Sequence, residues 1–263
     1  MKDKINAYWF TSEGSTNWGD DINQYIISKM SGIPLENVIN NADSGKTLKA
    51  IGSIFHQQPK DGDIYWGTGS IHNGTIPRNL DIDIRAVRGP LTRSFLIKNG
   101  YDCPEIYGDP ALLMPDFYNP TIEKTNLIGI IPHVSEIDSP PVKSILKRNP
   151  KLKLIDIRLG HEEFIDELKS VEFVLSSSLH GLMMADAYHI RNAKIDIVGP
   201  QHKGSAWKYI DYFSSVNRFV YLGYIVNEHT DLKNITDAVP WNSTFNIDLE
   251  PLRNAFPYKI LFD

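Results

Sequence analysis

Residues 171–190, VEFVLSSSLHGLMMADAYHI, hold the side chains best suited to chemistry. They read as a short apolar strand, then three hydroxyls at Ser176, Ser177 and Ser178, then a helix opening around His180. The first N–H groups of a helix lack internal partners and carry a partial positive charge, so this turn suits an anion. Histidine titrates near neutrality and can give or take a proton there. A structural core histidine is the plainer reading of any single histidine. Three successive hydroxyls, however, are poor core material unless they bind something. The helix itself is apolar on nearly all faces, with Leu182, Met183, Ala185 and Ala187, which places it inside the protein. Gly181 and Ala185, four apart, let another backbone approach it closely.

Four further clusters precede it. Asn17-Trp18-Gly19-Asp20 is either a glycine turn with an aspartate cap or a set of polar groups at a ligand. Gly67-Thr68-Gly69-Ser70 could cradle an anion with backbone N–H groups, or form only a tight turn. Arg88, just before Gly89-Pro90, has the forked guanidinium that grips carboxylate or phosphate; a surface ion pair is the alternative. Gly108-Asp109-Pro110 reads as a turn with Asp109 bonding nearby backbone. Asp81-x-Asp83 is interleaved with Ile82 and Ile84, which fits a strand with one polar face better than a metal site. The other histidines lack metal-ligand spacing, so no metal is expected. The serines do not form a G-x-S-x-G elbow, and no dinucleotide glycine fingerprint occurs.

The elements that must position these groups alternate between strand and helix. Strands are expected at residues 5–10, 50–54, 63–66, 82–87, 105–107, 127–132, 152–157, 171–175 and 193–198. Helices are expected from Asp20 or Asp21 to Gly32, from Pro90 to Asn99-Gly100, at 142–148, 161–170, 209–215, 231–238 and 247–261. Such alternation predicts an α/β protein with parallel sheets. A break near residues 115–124 divides it into an N-terminal Rossmann-like domain, 1–118, and a C-terminal one, 119–263, whose last helix is a candidate to cross back over the first half. The polar loops after Phe10, Trp66, Val87, Tyr107 and Leu175 all follow strands, so they lie at one edge and describe one cleft.

Composition excludes several classes. The 263 residues are 41% hydrophobic and 22% charged, as in an ordinary soluble protein. A net charge of −5 argues against a general nucleic-acid binder. Cys103 is the single cysteine, so no intrachain disulfide forms, which suits a reducing cytoplasm. The opening MKDKINAYWF has too short an apolar run for a signal peptide, and no stretch reaches membrane-spanning length.

Taken in order, NWGD (17–20), RGPLT (88–92), GDPALL (108–113), SSSLHGLMMADAY (176–188) and KYIDYF (208–213) resemble the polysaccharide pyruvyl transferase family, closest to bacterial exopolysaccharide ketal-pyruvate transferases. The resemblance implies two Rossmann-like domains facing across a cleft in the GT-B manner. It implies transfer of a pyruvyl group from phosphoenolpyruvate to a hexose, often as a 4,6-linked ketal, with release of phosphate and no further cofactor. His180 is then the expected general acid and Asp20 the acceptor of the hydroxyl proton. Arg88, Ser176, Ser177, Ser178, Gly181, Lys203 and Lys208 are expected around the donor, and Asn17, Trp18, Gly19, Gly67 and Gly69 around the acceptor. Where some members carry an arginine two positions before the motif histidine, this chain has Ser178. A lipid-linked acceptor would place the work at the cytoplasmic face of the inner membrane. Two rivals remain: a GT-B glycosyltransferase using a nucleotide sugar, and a non-catalytic sugar-binding subunit of a polysaccharide assembly complex, with some of the five tryptophans stacking on sugars.

Overall fold

A computed structural model describes residues 4–11, 17–39, 45–198, 206–218, 223–241 and 245–262. The first half runs β1 (Ile5–Ala7), α1 (Trp18–Ser31), β2 (Leu35–Asn37), β3 (Thr47–Lys49), β4 (Asp63–Trp66), β5 (Asp83–Ala86), α2 (Pro90–Lys98), a 3-10 turn at Pro110–Leu113 and α3 (Met114–Phe117). The second runs β6 (Ile128–Ile131), α4 (Pro140–Arg148), β7 (Leu152–Leu154), α5 (His161–Lys169), β8 (Phe173–Ser176), α6 (Leu179–Ala187), β9 (Arg191–Ile197), α7 (Ala206–Ser215), β10 (Tyr224–Val226) and α8 (Leu232–Ala238). Two short helices close it, α9 (Glu250–Asn254) and α10 (Tyr258–Phe262).

The strands form two five-stranded parallel sheets, ordered β2-β1-β3-β4-β5 and β10-β9-β8-β6-β7. Read from its other edge, the second sheet is β7-β6-β8-β9-β10, the same winding as the first. In each sheet the chain leaves its first strand to one side and returns on the other. The reversal falls between β1 and β3 in one sheet and between β6 and β8 in the other. At such a reversal the flanking loops part and leave a crevice beyond the carboxyl ends of the strands.

One apolar core cluster joins the two halves. It runs from Ile5, Leu48 and Ile64 of the first sheet through Trp18 and Ile22 of α1 and Leu112 of the 3-10 turn to Leu182 and Met183 of α6. The near-total burial of α6 matches its lack of a polar face. The C-terminal segment lies on the first sheet: the Trp66 indole donates to the Leu252 carbonyl at 2.8 Å, and the Phe256 ring meets Trp66 edge-on.

Several elements differ from the sequence reading. Helix α1 begins at Trp18, two residues before Asp20, with Asn17 as its cap residue, so Asp20 and Asp21 lie in its first turn. Strand β3 ends at Lys49, and residues 50–54 form a loop turned by Gly52, in the positive-φ region at +110°. Residues 105–107 contribute an isolated bridge between Tyr107 and Val87. Strands β2 and β10, three residues each, carry too little pattern to be recognised in sequence. The expected helix at 247–261 is two short helices, separated at Pro257, which has no N–H to continue the ladder.

Candidate functional site

A pocket opens where the two reversals meet. Phe10, Asn17 and Asp20 reach it from the β1 side, Gly52 and Ser53 from the end of β3. His133 enters from β6, Ser178 and His180 from β8, and Lys208 from α7.

His180 is the least satisfied group in this pocket. Its side chain is 13% exposed, and its buried Nε2 has no hydrogen-bond partner among the described residues. Nε2 stands 3.9 Å from Oδ2 of Asp109. The other ring nitrogen lies against α1: a Cβ built on Gly19 would come within 1.9 Å of Nδ1. The glycine of NWGD is therefore what lets the two helix starts close on each other. Burial drives the His180 pKa down to about 3, helped by the charges of Lys208, Arg88 and His133. The same burial raises Asp20 to about 6, a rise held back by the hydrogen bond from Asn17 and by Lys208. It also raises the fully buried Asp109 to about 7. Lys208 is lowered to about 8, first by burial and then by Arg88, and stays mostly cationic at neutral pH.

The three serines have separate duties. Ser176 Oγ bonds the carbonyls of Ile131 and Ser178 and accepts from the Ser178 N–H. Ser177 donates to Glu136 and accepts from the His133 N–H. Ser178 caps α6, accepting from Gly181 N at 3.4 Å, and lines the pocket. So the hydroxyls of Ser176 and Ser177 are occupied within the protein, and Ser178 faces the pocket. Gly181 makes room for the end of β8 and for β6: a Cβ there would meet Ser176 Oγ at 2.5 Å and Ile131 at 2.8 Å.

Arg88 is wholly buried. Its guanidinium is held by Asp211 of α7 at 3.0 Å, donates to the Ser70 carbonyl at 2.7 Å and donates to Ser53 Oγ. Asp211 also accepts from the N–H and hydroxyl of Thr92. RGPLT and KYIDYF are thus the two sides of one buried ion pair, and Arg88 meets the pocket through Ser53. Gly69 is bare because a Cβ there would lie 2.1 Å from the Arg88 Cζ. Gly67, at φ +83°, admits Pro110, which a Cβ would meet at 2.4 Å. Both glycines therefore pack Arg88 and the turn of Asp109 and lie outside the pocket lining. Trp18 is also away from it, buried on α5 with its indole donating to the His161 carbonyl at 3.2 Å. Lys203 lies outside the described residues.

Sequence reasoning missed Gly52, Ser53, His133 and Phe10 as pocket residues, and saw Asp109 only as a turn. A glycine within an apolar run often marks a close backbone approach, and Gly52 in AIGSIF is such a signal. Asn23 of α1 holds this loop, accepting from Ile51 N at 2.9 Å and donating to Ile51 O at 3.1 Å.

Together these features define an α/β protein with a polar, histidine-centred pocket at the switch points of two parallel sheets. Residues 78–197 match the family model described as Polysaccharide pyruvyl transferase, the family that the motifs resemble. The matched stretch contains RGPLT, GDPALL and SSSLHGLMMADAY. A comparison with curated proteins gave no match.

Proposed function

We propose that the protein moves the pyruvyl group of phosphoenolpyruvate onto a hexose of a bacterial surface polysaccharide or its precursor. The product is a cyclic pyruvate ketal, on the 4- and 6-hydroxyls, with release of phosphate. The observation that carries this reading is one pocket joining His180, the capped start of α6, Lys208 and Asp20, with its histidine wall inside the family match. The two sheets then act as the two faces of a GT-B-like cleft, the first half serving the acceptor and the second the donor.

The donor is an enol ester bearing a phosphate and a carboxylate. Free N–H groups at the start of α6, the Ser178 hydroxyl and the Lys208 ammonium suit those anions. Lys208 supplies the cation that Ser178 does not. Arg88 adds charge from behind Ser53. His180 protonates the methylene carbon, which makes the neighbouring carbon electrophilic toward a sugar hydroxyl. Asp20, raised toward neutrality, takes the hydroxyl proton. Asn17, fixed by its 2.6 Å bond to Asp20, lines the acceptor side, while Gly19 behind it packs on the His180 ring. Phosphate leaves and the second hydroxyl closes the ring. Of the two hydroxyl protons, one is balanced by the new methyl group and one by the departing phosphate. Among the described residues no helix is long and apolar enough to cross a membrane.

The test is phosphate release from phosphoenolpyruvate with galactosides, glucosides and mannosides, beside His180→Ala. Acceptor-dependent release that His180→Ala reduces at least about 100-fold is expected. If no acceptor stimulates release while a nucleotide sugar raises the melting temperature, the protein is a glycosyltransferase. If neither ligand binds, the non-catalytic sugar-binding or scaffold reading gains.

A further inference from the structure

A neutral imidazole at the centre of the site poses a problem of proton supply. We propose that Asp109 acts through His180: the two form a buried carboxyl–imidazole pair in which Asp109 Oδ2 faces Nε2 and supplies the proton replacing the one that Nδ1 delivers to the donor. The identity of that donor rests on the pyruvyl-transfer reading; the pair itself does not.

Three observations carry it. Nε2 is buried, unpartnered among the described residues, and 3.9 Å from the carboxyl. A contraction of about 1 Å would make this a hydrogen bond, and such bonds often tighten only when substrate is bound. Asp109 Oδ1 accepts from Ala111 N at 3.0 Å, which fixes the carboxyl and leaves Oδ2 for the histidine, with Gly52 N at 3.5 Å its other neighbour. His180 lines the pocket, and its Nδ1, on the ring edge away from Asp109, lies beside the bare backbone of Gly19, where a side chain would displace it.

The charged surroundings agree. Asp109 is faced by Arg88 from the β5–α2 junction, Asp20 from α1, Tyr212 from α7 and His180 from α6. His180 is faced by Lys208 from α7, by Arg88 and by His133 from the loop after β6. Burial and these cations keep the imidazole neutral, while burial holds the Asp109 proton up to about pH 7. The proton is therefore stored on the carboxyl, which donates to Nε2 and leaves the hydrogen on Nδ1.

The step balances. The Nδ1 proton goes to the methylene carbon, whose π electrons form the new C–H bond. As Nδ1 empties, the Asp109 proton moves to Nε2, leaving a carboxylate and an Nε2–H imidazole. The first sugar hydroxyl adds to the electrophilic carbon and gives its proton to Asp20. When the second hydroxyl displaces phosphate, its proton recharges Nδ1 and the Nε2 proton returns to Asp109. Phosphate departs with the proton held on Asp20.

Histidine-selective 15N NMR from pH 5 to 9, with His180→Ala locating the resonance, tests the pair without turnover. In the wild-type protein, His180 should change from the Nδ1–H to the Nε2–H tautomer around pH 7, and Asp109→Asn should abolish that change. Asparagine keeps an acceptor for Ala111 N but has no proton to release, so phosphate release at pH 6 should fall about 100-fold with the phosphoenolpyruvate KM changed less than about threefold. One tautomer throughout in the wild type, or the same change in both proteins, overturns the pair. The wild-type titration decides the matter even if the variant does not fold. A tautomer change without turnover of phosphoenolpyruvate on any acceptor upholds the pair and removes the pyruvyl-transfer reading.

Discussion

Gly19 and His180 show how one missing methyl group shapes the site. With a Cβ only 1.9 Å from Nδ1, Gly19→Ala must move the imidazole or the start of α1. The expected result is a loss of about 1–3 kcal/mol in urea unfolding, typical of overpacking, and at least a tenfold drop in phosphate release. Asp109 makes a second prediction, in pH. Its pKa is 3.8 in an ordinary setting and about 7 here. Between those values the folded protein binds more protons than the unfolded chain, so this group lowers stability as pH rises through that window. Asp109→Asn should therefore match the wild type in melting temperature near pH 4 and exceed it by pH 7.5. Calorimetry across that range checks this, and a constant gap would show that the carboxyl ionises freely.

Between elements, the Arg88–Asp211 pair is the main polar tie. It joins the loop after β5 to α7, and Lys208 lies one turn before Asp211 on that helix. Gly89 makes the approach possible, since a Cβ there would fall 2.1 Å from the Asp211 carbonyl. Asp211→Ala would leave a buried arginine without its counter-ion, at a cost of about 3–5 kcal/mol. It should also weaken donor binding by loosening Lys208. Urea unfolding and the phosphoenolpyruvate KM, measured together, distinguish this tie from a surface pair, which would cost under about 1 kcal/mol. The elements themselves differ in how plainly they could be read. Strand β4 and helix α5 announce themselves, one by four buried residues in a run, the other by Phe164, Ile165 and Leu168 at helical spacing. The loop at 50–54 looked like a strand because its apolar run is real. Its shape comes from the positive φ of Gly52 and from Asn23, a side chain 28 positions earlier in the chain.

At the scale of the molecule, the shared core makes the C-terminal segment part of the first half's stability. Leu252 is fully buried, its carbonyl receives the Trp66 indole, and Arg253 pairs with Asp116 at 2.8 Å. Leu252→Ala should cost about 2–5 kcal/mol in unfolding followed by tryptophan fluorescence, although Leu252 is 186 positions from the Trp66 it contacts. The residue order already held the alternation of strand and helix, the motifs, and the family they resemble. Those signals are local, set by spacing within a turn or a strand. The equal winding of the two sheets, the burial of Arg88 behind Ser53, the division of labour among the serines and the facing of Asp109 with His180 came from the folded chain. Each depends on groups brought together from distant segments, and the pKa of a buried acid or imidazole follows the dielectric and charges that such packing creates. Local spacing marked His180 as the residue to watch; packing placed Asp109 beside its Nε2 and Gly19 beside its Nδ1.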